Sequence, residues 1–151
     1  MSFNNFASIQ GFVVLETGLK QKLGIATIPH ELELSHIVLT LYKHGANVGS
    51  EQLRINLYAN DRYDSPFKSS GWVSIADIED LSTNWLGWLR FDFERRNISL
   101  NQVVYVEIES QNYTRNADTF YLGIGLDDPV RFNTITSGSS APAAMQIIGY
   151  R

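Results

Sequence analysis

Apolar and polar residues alternate with a period of two in stretch after stretch of this chain, and few patterns restrict a fold more. A strand sends successive side chains to opposite faces, so an alternating segment buries one row and wets the other. In 37–42, Ile37, Leu39 and Leu41 share a face; in 53–59, Leu53, Ile55 and Leu57 oppose Arg54, Asn56 and Tyr58. Val104, Val106 and Ile108 likewise oppose Tyr105, Glu107 and Glu109, and Phe120, Leu122, Ile124 and Leu126 form another row. "GFVVLETG" at 11–18, "MQIIGY" at 145–150 and the weaker "GWVSI" at 71–75 bring the expected count to about eight or nine strands.

Turn formers occupy 43–50, 59–66, 94–101 and 110–118, and most connections are too short for a crossover helix, which predicts antiparallel pairing. The segment 74–82, with Ile75, Ile78 and Leu81 at three-residue spacing, reads either as a turn or two of helix or as a strand end followed by a loop. A lone sheet of this width would leave an apolar face wet. The expected architecture is therefore all-β: an antiparallel two-sheet β-sandwich, jelly-roll-like, in one domain spanning 1–151. Short flexible arms are expected at 1–8 and 137–144, where polar and small residues dominate.

Composition narrows the function. The chain has 151 residues, 44% hydrophobic and 19% charged, which suits a single packed core. Twelve basic residues face sixteen acidic ones, for a formal charge of −4, and the longest basic block is Arg95-Arg96. Phosphate and anionic-lipid binding need clustered cations, so neither nucleic acid nor membrane is an expected partner. With no cysteine, disulfides, thiol nucleophiles and thiolate zinc sites are excluded. The first residues lack the basic and apolar regions of a secretory signal, so use without export is expected and the sequons at Asn97 and Asn112 carry little weight.

The segment "WLGWLRFDF" at 85–93 is the densest in aromatics. Extended, it puts Trp85, Gly87, Leu89, Phe91 and Phe93 on one face and Leu86, Trp88, Arg90 and Asp92 on the other. Leu89, Phe91 and Phe93 are expected in the core. Trp88 is expected outward, where an indole offers large contact area to a protein or a sugar ring; packing against a neighbouring loop or Leu86 is the alternative. Tyr58, Tyr63, Tyr105 and Tyr121 also read as outward aromatics, a surplus that points to an interface.

Catalytic and metal signatures are missing. "PHELELSH" places His30 and His36 on one strand face with Leu32 and Leu34 between them, unlike the helical spacing of a zinc motif. Asp61 and Asp64 suit turn chemistry, and no calcium-loop pattern surrounds them, Asp77, Glu79, Asp80 or the Asp127-Asp128 pair. No cofactor, metal or catalytic residue is expected.

In "LRINLYANDRYDSPFKSSGWVSI" and "WLGWLRFDFERRNISLNQVVYVEIES", a strand ends in a polar loop and proline, a small-residue turn follows, and an aromatic-rich strand leads to Leu100, Tyr105 and Ile108. This order resembles jelly-roll modules found as carbohydrate-binding domains and in structural proteins of tailed bacteriophages. The resemblance implies a non-enzymatic virion structural protein, a capsid decoration or tail component, assembling as a homo-oligomer or on a partner lattice. The alternative is a glycan-binding module or receptor-binding adhesin, for which the residues offer Trp88, with Trp85 or Tyr63, for stacking and Arg90 and Asp92 as hydrogen-bonding groups. The binding candidates are thus Trp88, Arg90, Asp92, Trp85, Tyr58 and Tyr63. A sandwich hydrolase ranks third.

Overall fold

In the computed structural model of the chain, the described residues are 2–4, 9–14, 20–28, 31–44, 52–74, 87–99, 101–111, 121–127, 135–136 and 145–150. They form the strands β1 (Ser2–Asn4), β2 (Ile9–Val14), β3 (Lys20–Thr27), β4 (Leu32–His44), β5 (Gln52–Tyr58) and β6 (Lys68–Ser69). The remainder are β7 (Val73–Ser74), β8 (Gly87–Ile98), β9 (Val103–Gln111), β10 (Tyr121–Asp127), β11 (Ile135–Thr136) and β12 (Met145–Tyr150). Eight of these strands have six residues or more, all pairings are antiparallel, and no helix occurs among the described residues.

The strands make two sheets, the β-sandwich that the alternation predicts. In the first sheet β4 is the spine. Ile37 pairs with Phe91 on one side and Ile147 on the other, and Leu41 pairs with Gly87 and Ile124. Strand β8 therefore holds one edge of β4, while β12 and β10 lie end to end along the other, extended by β1 and β2. The second sheet runs β11-β3-β9-β5, with β6 and β7 along the outer edge of β5. Successive strands β3, β4 and β5 alternate between sheets, as do β7, β8 and β9, so the chain changes sheet at each of these steps.

The rows legible in sequence meet in that core. Leu53, Ile55, Leu57, Val104, Val106 and Ile108 from the second sheet pack against Ile37, Leu39, Leu89 and Phe91 from the first, all buried. Fully burying one such side chain contributes roughly 1.5–3 kcal/mol, so this single apolar layer is the main stabilising term.

Alternation breaks in β4. Leu34 and Ile37 both point inward, an odd step, because β4 carries an extra residue against β12 at 34–36, and the pairing with β8 also shifts there. This bulge corrects the expectation that His36 shares a face with Leu32 and Leu34: it moves His36 to the outer face, opposite Asp92. His30 lies outside the described residues. So do 75–86, which contain nearly all of the 74–82 segment, and 137–144; residues 2–4 of the expected N-terminal arm pair with β12.

One glycine is dictated by close approach. A Cβ at Gly149 would collide with the Glu33 carbonyl oxygen and come within 2.7 Å of the Leu32 side chain, so β12 can lie against β4 there only without a side chain.

Candidate functional site

Among the described candidates, Arg90 and Asp92 lie on one outer face of the sandwich and Tyr58 and Tyr63 on the other. On the first sheet, β8 alternates as expected: Leu89, Phe91 and Phe93 are buried, whereas Arg90 and Asp92 are exposed. The register sets Trp88 opposite Thr40, Arg90 opposite Val38 and Asp92 opposite His36. Arg90 Nε donates to Asp92 Oδ1 at 2.7 Å, with the two side chains 58% and 67% exposed. Such a pair adds little stability but sets a cation beside an anion on the surface. Beside it, burial lowers the His36 pKa, the Arg90 charge lowers it further, and Asp92 opposes both. The Ser35 hydroxyl lies 3.0 Å from His36 Nδ1. Trp85 and the Trp88 side chain lie outside what is described.

The second sheet's outer face is closed by its own chain. Asn60 Oδ1 accepts the Arg62 N–H at 3.0 Å, folding the 59–66 loop as an Asx turn, while Asp64 pairs with Arg62. The turn work expected of Asp61 and Asp64 thus has Asn60 at its centre. Tyr63 then adopts φ 53°, a left-handed conformation costly for a large side chain, and its ring sits 4.9 Å from Tyr58 and 5.8 Å from Tyr105. Lys22 Nζ caps the Tyr63 ring at 4.6 Å.

Beneath that lid runs a polar ladder across β5 and β9. Tyr58 Oη donates to Glu107 Oε1 at 2.7 Å, Asn56 Nδ2 bridges Glu107 and Glu109, and Arg54 Nε donates to Glu109 Oε2 at 2.7 Å. Ser69 donates to Asn56 Oδ1 at 2.6 Å, and the Arg54 guanidinium stacks on Trp72. Tyr58, Asn56 and Glu107 are 1%, 1% and 4% exposed, which corrects the outward reading of all three. They do point away from the core, but the Tyr63 loop covers them. Tyr58 is therefore a hydrogen-bonding strut rather than a contact residue, and Tyr63, Tyr105 and Trp72, all half-buried, are aromatics left at this surface.

Electrostatics follow this burial. Burial, then the hydrogen bond to Glu107 and the charges of Glu107 and Glu109, push the Tyr58 phenol well above its usual range; Asn56 acts the other way. Burial and the Glu107 charge push Tyr63 up to about 12. Burial would raise Glu109, but hydrogen bonds from Asn56 and Arg54, with the Arg54 and Lys20 charges, hold it below the usual carboxylate range.

The two faces meet at one side of the sandwich. There Lys68 pairs with Glu94 at 3.4 Å, the Arg96 guanidinium lies over the Phe67 ring, and a groove of about 750 Å³ runs past Ser69, Gly71 and Asp92. Of the six candidates, Trp88, Arg90 and Asp92 share a strand, Tyr58 and Tyr63 share the opposite face, and nothing described joins the two groups. Sequence reasoning missed the Glu107 and Asn56 strut. The facing polar rows Arg54-Asn56-Tyr58 and Tyr105-Glu107-Glu109 were visible, but their register was not. Among the described residues, no group of three or more His, Asp or Glu is placed to hold a metal ion. Compared with known proteins, the chain matches no family model, no curated protein and no solved structure.

Proposed function

We propose that this chain is a non-enzymatic, jelly-roll structural protein of a tailed-bacteriophage particle, a capsid decoration or tail component, that assembles through the outer face of β4 and β8. The observation carrying the proposal is the contrast between the two faces. On the second sheet the tyrosine loop closes over Tyr58, whereas the first presents Arg90 and Asp92, exposed and 2.7 Å apart, beside His36 and in line with Trp88. An exposed cation beside an anion suits recognition of a protein surface, since complementary charges across an interface set register and reject mismatched charge. The order of sequence features shared with phage structural modules supports the particle context, and the alternation of strands between sheets agrees with jelly-roll connectivity.

The partner is a second copy or a lattice of another protein. Light scattering of the purified chain over a range of concentrations tests the first. A dimer or higher oligomer that dissociates in Arg90→Glu, with an unchanged melting temperature, is the expected result. A strictly monomeric chain that also fails to bind phage particles by co-sedimentation overturns the proposal.

A further inference from the structure

A recess lies at the opposite end of β8 from Trp88, beyond the Arg90 and Asp92 pair that carries the assembly reading. We infer that it is a binding site for one neutral hexopyranose residue. It is a cavity of about 300 Å³ where the ends of β4, β8 and β12 meet, at the small end of the range for ligand pockets and suited to one sugar ring rather than a long chain.

Its composition follows from register. Tyr150 pairs with Glu33, and Glu33 pairs on its other side with Asn97, so an aromatic, a carboxylate and an amide stand in a row across three strands. Leu32 and Ile98, paired with each other and each 2% exposed, close the recess off from the core side, and Glu31 and Ser99 complete the polar rim. Tyr150 is 58% exposed, one of two large hydrophobic side chains so placed among the described residues. Its backbone position is set by the neighbouring Gly149, which seats β12 directly against Leu32 and Glu33.

A pyranose has one face of C–H groups and a rim of hydroxyls that both donate and accept. The phenol ring offers a partner for that face, the two carboxylates accept from hydroxyls, and the Asn97 amide both donates and accepts. Charge sets the class of sugar. Arg95 Nε stands 3.4 Å from Glu33 Oε1, and Glu31 at the rim has no ion-pair partner among the described residues, so a uronic acid is repelled and a neutral ring is not.

The test is an amide-resolved NMR titration of the full chain with the methyl glycosides of glucose, galactose and mannose, and with glucuronic acid. At least one neutral glycoside is expected to shift the Gly149, Tyr150 and Asn97 signals saturably at millimolar concentration, and glucuronic acid to bind at least about tenfold more weakly. Tyr150→Ala is expected to weaken the neutral glycoside about tenfold, Tyr150→Leu to do the same while keeping apolar bulk, and Glu31→Gln to narrow the gap to glucuronic acid. Absence of any saturable shift, shifts confined to other residues, or unchanged affinity in a folded Tyr150→Leu would each overturn the inference. None of these outcomes bears on oligomeric state, which is read by light scattering.

Discussion

Tyr58 and Glu107 are on strands that alternate cleanly, and alternation alone would set both in water. Because the Tyr63 loop folds over them, each becomes the other's solvent substitute: the phenol donates at 2.7 Å to a carboxylate that is 4% exposed. Removing one partner leaves the other buried and short of a hydrogen bond, so Tyr58→Phe is expected to cost about 1–3 kcal/mol in urea unfolding at neutral pH. The raised tyrosines also fix a pH dependence. An unfolded tyrosine ionises near 10.0, while Tyr63 holds its proton to about 12 and Tyr58 holds its own well above the usual value. Their contribution is fully present below pH 10.0 and is lost as pH rises through the folded values, because the unfolded chain releases its protons first. Urea midpoints are therefore expected to fall above pH 10.0, and Tyr63→Phe to flatten that fall; a flat alkaline profile in the parent chain would contradict the enclosed-tyrosine reading. Glu109 works in the opposite sense, its stabilisation being lost as acid is added through its lowered pKa.

Among the elements, β5, β9 and β12 were readable because their alternation is unbroken over the core-facing stretch, and β8 was readable only to Phe93: 94–98, expected as part of a turn, continue the strand, and the pairing shift opposite Leu34 and His36 leaves 94–97 exposed with no alternation to read. β3 was not read as a strand. Its pairing with β9 shifts between Lys22 and Gly24, so Leu23 and Ala26, both buried, stand an odd number of residues apart and the period of two disappears from the sequence. β4 was read as two pieces for the same reason, its bulge at 34–36 resetting the pattern. The edge made by β6 and β7 has a different device. Ser70, between them, accepts the Ile55 N–H on its hydroxyl at 2.9 Å and donates to the Gly71 carbonyl at 2.9 Å, so a side chain replaces the ladder where the edge bends. Ser70→Ala leaves that N–H without a partner in a site 6% exposed, and a loss of about 1–3 kcal/mol in chemical denaturation is expected. An unchanged denaturation midpoint would mean that water reaches Ile55 and that the edge is looser than its geometry implies.

For the whole molecule, one apolar layer joins both sheets, so neither sheet has a core to fold around alone. Phe91→Ala, at a fully buried position between them, is expected to cost about 3–5 kcal/mol, a large share of an ordinary domain's stability, and to lower a single calorimetric transition rather than split it in two. The sequence by itself determined the class of fold, the core rows and the outward direction of Arg90 and Asp92, because side-chain alternation is a property of the extended backbone and needs no knowledge of neighbours. Only the tertiary structure decided which outward residues reach solvent. That depends on the register that brings Glu107 under Tyr58, on the bulge that turns His36 outward, and on the loop that carries Tyr63 over the second sheet, and each of these is set by contacts between residues far apart in the chain.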